Sequence, residues 1–364
     1  MGIHHGAERI TDRKENSSDR KQRSSMGKTI AVKEKNKGVP KTVGILLGVG
    51  VALIFLTIII LHHNPLAVPK EEWIKKAIAI AMVVVALIAY IGLYDKIIVL
   101  PGELWSNREL IWKLAKNDFK KRYAGSTMGR VWAFVQPVVT VLMYYCVFGL
   151  IFPARAQLAA SGIEAPYVLW LTAGLVPWFY FSEAIGGGTS ALIEYNYLVK
   201  KVVFKISILP IIKVIAATFI HVFFVFVMLI LYFIYGYKPS IYLIQLVYYS
   251  FCMFFLCLAI SYSTCAIVVF FKDLSQIIGI ALQVGMWATP ILWEIGSIPE
   301  KYRIFFKLNP VFYIVNGYRS ALFERQWFFE DFYSTMFFWI TAAIIFGIGA
   351  LIFKRLKPHF ADVL

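Results

Sequence analysis

Charge is scarce in this chain: Asp, Glu, Lys and Arg make 16% of its 364 residues, where a water-soluble domain carries roughly a quarter. Cysteine is scarce too. The four residues Cys146, Cys252, Cys257 and Cys265 each fall in an apolar run and form no CxxC pair, so they read as reduced packing residues rather than metal ligands. There is no HExxH, no GxSxG and no clustered acidic pair, which removes the common hydrolase sites and a metal-dependent glycosyltransferase site. Met26-Gly27-Lys28-Thr29 resembles the end of a phosphate-binding loop, but such a loop needs Gly five positions before its Gly-Lys-Thr. Gln22 stands there, and no strand precedes it. His62 and His63 are adjacent, so on a helix they point in different directions, and they read as interfacial imidazoles. The chain is therefore expected to hold no metal or cofactor and to be no enzyme.

What abounds is apolar surface: 59% of the residues are hydrophobic and 16% are aromatic. Eight runs are expected to cross a membrane, near 43–61, 77–94, 131–152, 167–185, 211–235, 241–271, 274–293 and 334–353. The fold class is an all-α integral membrane protein with about eight transmembrane helices. The run 241–271 is longer than a span needs and must tilt, kink or project. Residues 1–41, rich in Ser, Lys, Asn and Glu, read as a disordered basic tail. Residues 42–100 form a helical hairpin, Pro101-Gly102 marks a module boundary, and 103–364 form the main membrane module. The segment 304–323 is apolar but interrupted by Lys307, Asn309-Pro310, Gly317 and Arg319, and is expected to be re-entrant.

The net charge is +16. Residues 1–41 hold eleven Lys/Arg against five Asp/Glu, and the loop with Lys200, Lys201 and Lys205 and the tail with Lys354, Arg355 and Lys357 are also basic. Eight crossings put all of these on one side, opposite the balanced segment 294–333, so both termini are expected in the cytoplasm. The charge is spread over membrane-flanking loops rather than one folded basic domain, which argues against nucleic acid as a partner and for membrane lipids.

Three segments carry functional signals. The stretch 106–122 has Ile111, Trp112, Ala115, Phe119 and Tyr123 on one helical face and Lys113, Lys116, Lys120, Lys121 and Arg122 on the other. It reads as a helix lying flat at the cytoplasmic membrane surface, started by a Ser106/Glu109 capping box and followed by a turn at Gly125 and Gly129. Two membrane helices carry stripes: Gln136, Thr140, Tyr144 and Phe148 on one, Gln276, Gly279, Gln283 and Trp287 on the other. Such faces either pack helix on helix or line a path in which amides bond hydroxyls and rings stack on sugars. The loop 186–209 leaves a helix at Gly186-Gly187-Gly188 and then shows Tyr195, Tyr197, Leu198 and Phe204, as a docking surface or an interfacial anchor. Glu183 is a conspicuous intramembrane acid that either gates a path or reaches the interface.

From about Glu103 to Leu364 the chain resembles permease subunits of type 2 ABC exporters of O-antigen, capsule and teichoic acid. The stretches that carry the resemblance occur in the expected order: KNDFKKRYAGSTMGRVWAFVQP, ALIEYNYLVKKVVF, FKDLSQI, Thr289-Pro290, Leu308-Asn309-Pro310, GYRSALF and the terminal FADVL. The family often has Arg-Asp-Leu where Lys272-Asp273-Leu274 stands, and Phe-Pro where Phe204-Lys205 stands. The first 100 residues match nothing in the usual six-crossing permease.

The resemblance implies a bacterial cytoplasmic-membrane protein exporting a lipid-linked cell-envelope polysaccharide. It implies a homodimer bound to two copies of a separate ATPase, which holds ATP and Mg. The 106–122 helix, with Trp112, Phe119 and Arg122, then becomes the interface helix. Tyr195, Tyr197, Leu198, Lys200, Lys201 and Phe204 become the ATPase-coupling surface. Gln136, Thr140, Tyr144, Phe148, Gln276, Gln283 and Trp287 become the substrate-path candidates. The rival expectations are an exporter of a small hydrophobic drug or lipid, and a membrane-embedded glycosyl- or acyltransferase.

Overall fold

The computed structural model describes residues 41–61, 69–97, 99–121, 129–151, 155–157, 164–200 and 204–364. It divides into two units, 1–44 and 45–364, of which the first is described only at 41–44, the opening of a helix. The described residues are almost entirely helical. Helix α1 (Lys41–Leu61) and α2 (Pro69–Ile97) are followed by α3 (Val99–Ser106), α4 (Arg108–Lys121) and α5 (Trp132–Tyr145), the last continued by a π turn at Cys146–Ile151. Two short antiparallel strands, β1 (Arg155–Gln157) and β2 (Glu164–Pro166), pair Ala156 with Ala165. Then come α6 (Tyr167–Glu194), α7 (Asn196–Val199), α8 (Leu209–Ile234), α9 (Gln245–Val268) and α10 (Leu274–Ala288). The chain ends with α11 (Glu300–Lys307), α12 (Pro310–Arg319) with a π turn at Ser320–Glu324, α13 (Phe332–Leu356) and α14 (Phe360–Val363).

Among the described residues, six helices are long and apolar enough to cross a membrane. The two remaining expected crossings are present as shorter apolar helices, α5 and α10, of 14 and 15 residues. At 1.5 Å per residue α10 covers about 22 Å, short of a hydrocarbon core of ~30 Å, whereas α5 is lengthened by the six residues of its π turn. Helix α10 stops because Pro290 drives Thr289 to extended angles (φ −88°, ψ 134°). The long apolar run 241–271 resolves into a short 3₁₀ turn, Ile241–Ile244, and α9 ending at Val268.

Helix α6 is the centre of the molecule. Its span is the least apolar of the six, with a mean hydropathy of 1.3, yet 78% of it is buried, because it touches protein rather than lipid. It packs on α8, α9 and α12. The Gly186-Gly187-Gly188 triplet does not release the chain from the helix, as the sequence suggested. Helix α6 runs through it to Glu194, and the last of the three, Gly188, serves close packing. A Cβ on Gly188 would fall 2.1 Å from Ser261 Oγ of α9, and one residue on, Thr189 Oγ1 donates to Thr264 Oγ1 at 2.9 Å. Gly188→Ala should therefore destabilise the protein by about 1–3 kcal/mol. Adding Ser261→Gly should recover most of that loss in thermal unfolding of detergent-solubilised protein. Additive losses would mean the two helices do not meet there.

Helices α1 and α2 form a small separate core of Ala52, Ile59, Ala79 and Val83, closed by Met336 of α13. Their other faces, with Leu47, Ile54, Val85 and Ile88, are exposed, as suits helices bathed in lipid. Pro101 and Gly102 lie inside α3, where a proline in the first turn removes no helical hydrogen bond.

The expected re-entrant segment 304–323 consists of α11 and α12, with Asn309 as the cap that separates them; its side chain accepts from Val311 N at 3.0 Å. From Val311 to Phe323 nearly every side chain is buried. Deep in this packing, Tyr318 OH meets His221 Nε2 at 3.0 Å and Ser250 Oγ at 2.6 Å, with the Tyr180 ring stacked on His221 at 4.4 Å. His221 lies twelve residues from Leu209 and thirteen from Ile234, about 18–20 Å from either end of α8. Helix α12 thus reaches into the middle of the bundle and is tied there to α8 and α9 by polar groups. Broken backbone at that depth is tolerated only when protein surrounds it.

Candidate functional site

At one end of the bundle, α4 packs on α8 through a narrow apolar face. Ile111 and Ala115 are buried, while the Trp112 and Phe119 rings meet Phe219 edge-on at 5.3 and 5.9 Å. Lys113, Lys116, Lys120 and Lys121 are exposed, and Lys116 Nζ lies 5.1 Å over the Trp112 ring. Arg122 and Gly125 lie outside the described residues. The helix does not begin with the expected capping box. Ser106 is the last residue of α3 and its hydroxyl donates backward to Glu103 O at 3.1 Å, so Asn107 makes the joint and Arg108 opens α4. The competing bond to the preceding turn is the kind that Ser makes readily. Gly129, with φ +52°, makes the turn into α5, a conformation that other residues enter at a cost.

The coupling candidates sit beside α4. Tyr197 is 50% exposed and Lys200 is exposed, whereas Leu198 and Phe204 are half-buried against the core and Val199 is buried. Lys201 lies outside the described residues. Tyr195 turns inward, and its hydroxyl donates to Asp118 Oδ1 of α4. Burial, with the Asp118 carboxylate adding to it, holds that phenol well above its ordinary range, so it remains a donor. Asp118 also accepts from Lys213 Nζ of α8 at 2.8 Å, and Lys213 bonds Glu194 Oε2 of α6 at 2.5 Å. Nothing in the apolar spacing of α4 announces this network. Its signals are the acid Asp118 among the basic residues of the collar and the lysine Lys213 inside an apolar run.

The path candidates divide into two groups. On α5, Thr140 is half-buried, and the side chain of Gln136 lies outside the described residues. Tyr144 stacks on Phe148 at 6.1 Å; Phe148 meets Tyr167 at 5.1 Å; Tyr167 stacks on Trp170 at 5.7 Å. This stripe continues as an aromatic ladder into the start of α6, and Tyr167 OH fastens it by donating to Leu292 O at 2.5 Å. On α10, Gln276 and Gln283 are exposed, Trp287 is 66% exposed, and Gly279 faces open space. No residue of α10 is buried, although its composition is that of a membrane helix.

The ladder ends on a buried cation that in the sequence shows only as an interruption of an apolar run. Arg319 is 4% exposed, and its guanidinium lies 3.4 Å over the Trp170 ring. It donates to Pro290 O at 2.7 Å and Ile291 O at 2.8 Å. Next to it, Asn309 Nδ2 donates to Thr289 Oγ1 at 2.9 Å. Three stretches singled out for family resemblance, Thr289-Pro290, Leu308-Asn309-Pro310 and GYRSALF, therefore meet in one cluster at the end of α10. Among the described residues, no group of three His, Cys, Asp or Glu could hold a metal ion.

Residues 109–323 match the model of the ABC-2 type transporter family. The chain is 27% identical over 265 residues to the O-antigen export system permease protein RfbA of Myxococcus xanthus, covering 72% of this chain and 98% of that protein. It is 27% identical over 259 residues to the protein of the same name from Klebsiella pneumoniae, covering 70% and 95%. The family match includes α4, the Lys213 network, the aromatic ladder and the Arg319 cluster together, and extends over more than half of the residues. The chain belongs to the ABC-2 type transporter family.

Proposed function

We propose that the chain is the membrane-spanning subunit of an ATP-driven exporter that moves a lipid-linked cell-envelope polysaccharide, an O-antigen-like, capsular or teichoic-acid-like polymer, across the bacterial cytoplasmic membrane. The observation that carries the reading is the match to two O-antigen export permeases along nearly their whole length. More than a quarter of this chain, by contrast, lies outside that match. The chain itself hydrolyses nothing; two copies of a cytoplasmic ATPase bind ATP and Mg and grip the surface of Tyr197 and Lys200. The basic collar, loop and tail face the cytoplasm, with both termini there.

Two copies of the chain bring their α10 helices together. The support is physical: a helix of membrane composition with no buried residue and with glutamines on its surface is poorly suited to lipid, and a second copy would shield those amides. The polymer then slides between the copies, stacking on Tyr144, Phe148 and Trp287 and bonding to Gln136, Thr140, Gln276 and Gln283. Ring stacking tolerates sliding because it has little directional demand.

Replacing Tyr144 and Trp287 by Ala together should lower the glycan reaching the cell surface about tenfold or more, against little change in the amount of assembled complex, with lipid-linked glycan accumulating inside. Surface glycan is read by lectin or antibody on intact cells and internal glycan after lysis. Undiminished surface glycan in cells lacking the chain, alongside hypersensitivity to lipophilic drugs, would replace this reading with drug or lipid export.

A further inference from the structure

Lys213 occupies an unusual position. It is the only ion-pair partner described for Asp118 of α4 and for Glu194 at the end of α6, at 2.8 and 2.5 Å, and its ammonium lies 5.1 Å over the ring of Tyr195. Ser190 Oγ donates to the second Glu194 oxygen at 2.5 Å, and Tyr195 OH donates to the same Asp118 oxygen that Lys213 holds. The Lys213 and Asp118 side chains are each 11% exposed, so water screens them little. The lysine stem runs past Gly187 of α6, where an added Cβ would meet Lys213 Cβ in ordinary van der Waals contact at 3.7 Å.

We propose that Lys213 is the positioning residue that makes α4, the entry to α7 and the first turns of α8 move as one body when the ATPase closes. This rests on the reading of α7 as the surface that the ATPase grips. Helix α7 is four residues long and is joined to α6 only through Tyr195. A push on Tyr197 or Lys200 would otherwise be spent in bending that short link. Glu194 and Tyr195, on either side of the link's start, are instead tethered to α8 and α4 by charged contacts too short to leave slack. Displacing Asp118 from Lys213 leaves a poorly solvated charge unpaired, which opposes independent movement, while Glu194, 49% exposed, adds a second and better solvated tie. The apolar contacts of Trp112 and Phe119 with Phe219 could slide; the ionic joint fixes their register.

The test uses the complex of this chain with its co-purifying ATPase in lipid nanodiscs, in a Cys146→Ser background. A bimane label at Ile234→Cys, the far end of α8, reports its environment without nucleotide and after ATP–vanadate trapping. In the otherwise unchanged complex, trapping shifts the fluorescence. In Lys213→Met that shift falls at least about fivefold, the lower end of ordinary coupling between sites, while ATP hydrolysis and co-purification persist. Lys213→Arg restores it in large part. Lys213→Met combined with Asp118→Asn is no worse than Lys213→Met alone, because both break one joint.

A full shift in Lys213→Met, or no shift at Ile234→Cys even with Lys213 present, overturns the proposal. Should Lys213→Met disassemble the complex, Asp118→Asn, which preserves shape, takes its place with the same two outcomes. Disassembly by both makes Lys213 a structural support and also overturns the proposal. Tyr197→Asp separates this from the underlying reading. If that variant still binds the ATPase and shifts normally, α7 is not the gripped surface, whatever Lys213 does.

Discussion

Arg319→Ala is expected to destabilise the packing of the segment 304–323 by about 2–4 kcal/mol. The substitution strips two buried carbonyls, Pro290 O and Ile291 O, of donors at 2.7 and 2.8 Å, and uncovers the face of Trp170. Each orphaned carbonyl costs about 1–3 kcal/mol, and the lost cation–π contact adds about 1–2 kcal/mol in a desolvated site. Against this, the variant no longer has to bury a guanidinium, which returns several kcal/mol of desolvation. The loss should win by about 2–4 kcal/mol, because the carbonyls remain fixed by the Thr289-Pro290 break and cannot turn to water.

Arg319→Lys should fall between the two. It keeps the charge, but a single ammonium cannot bond both carbonyls while lying flat on an indole. Thermal unfolding followed by the size-exclusion profile in detergent reads the order directly. An Arg319→Ala protein as stable as the unchanged one would mean that the cluster at Arg319 does not hold α12 to the end of α10.

Tyr197→Asp should abolish export while leaving the chain folded. Tyr197 is 50% exposed, and a substitution on such a surface ordinarily moves stability by about 0.5 kcal/mol or less. Placed under a partner, the new carboxylate is an unpaired interfacial charge costing on the order of 2–5 kcal/mol, or at least about 30-fold in affinity. Leu198, half-buried against the core, does not make this separation, since a charge there would damage folding and docking alike. Pull-down of the ATPase on tagged permease, together with surface glycan, measures both effects. Normal recovery of ATPase and normal export would leave α7 as an interfacial anchor.

Much of the architecture was legible in the residues. Six of the eight apolar runs appear within helices long enough to cross a membrane and the other two as shorter apolar helices, the basic collar is a helix, and the interrupted segment before α13 is two short helices sunk into the bundle. Periodicity reports such features because burial and lipid exposure act residue by residue along a helix. The misreadings came where a local signal had a distant cause. Ser106 looked like a helix cap but bonds backward to Glu103, closing α3. Three glycines looked like the end of a helix, but α6 runs through them, and Gly188 is where α9 comes close to it. Arg319 looked like an interruption of an apolar run and is the centre of a cluster.

By itself, then, the sequence determined the class of the protein, the runs available to span a membrane and the family it resembles. These follow from composition and from spacing along a single helix, which need no partner to be read. Only the tertiary structure decided which side chains act together. Asp118, Glu194 and Lys213 are as much as 95 residues apart in the chain, and Trp170, Pro290 and Arg319 come from three different elements. A buried charge or carbonyl is stabilised by whichever group the packing brings within about 3 Å, and that choice belongs to the bundle as a whole rather than to any stretch of it.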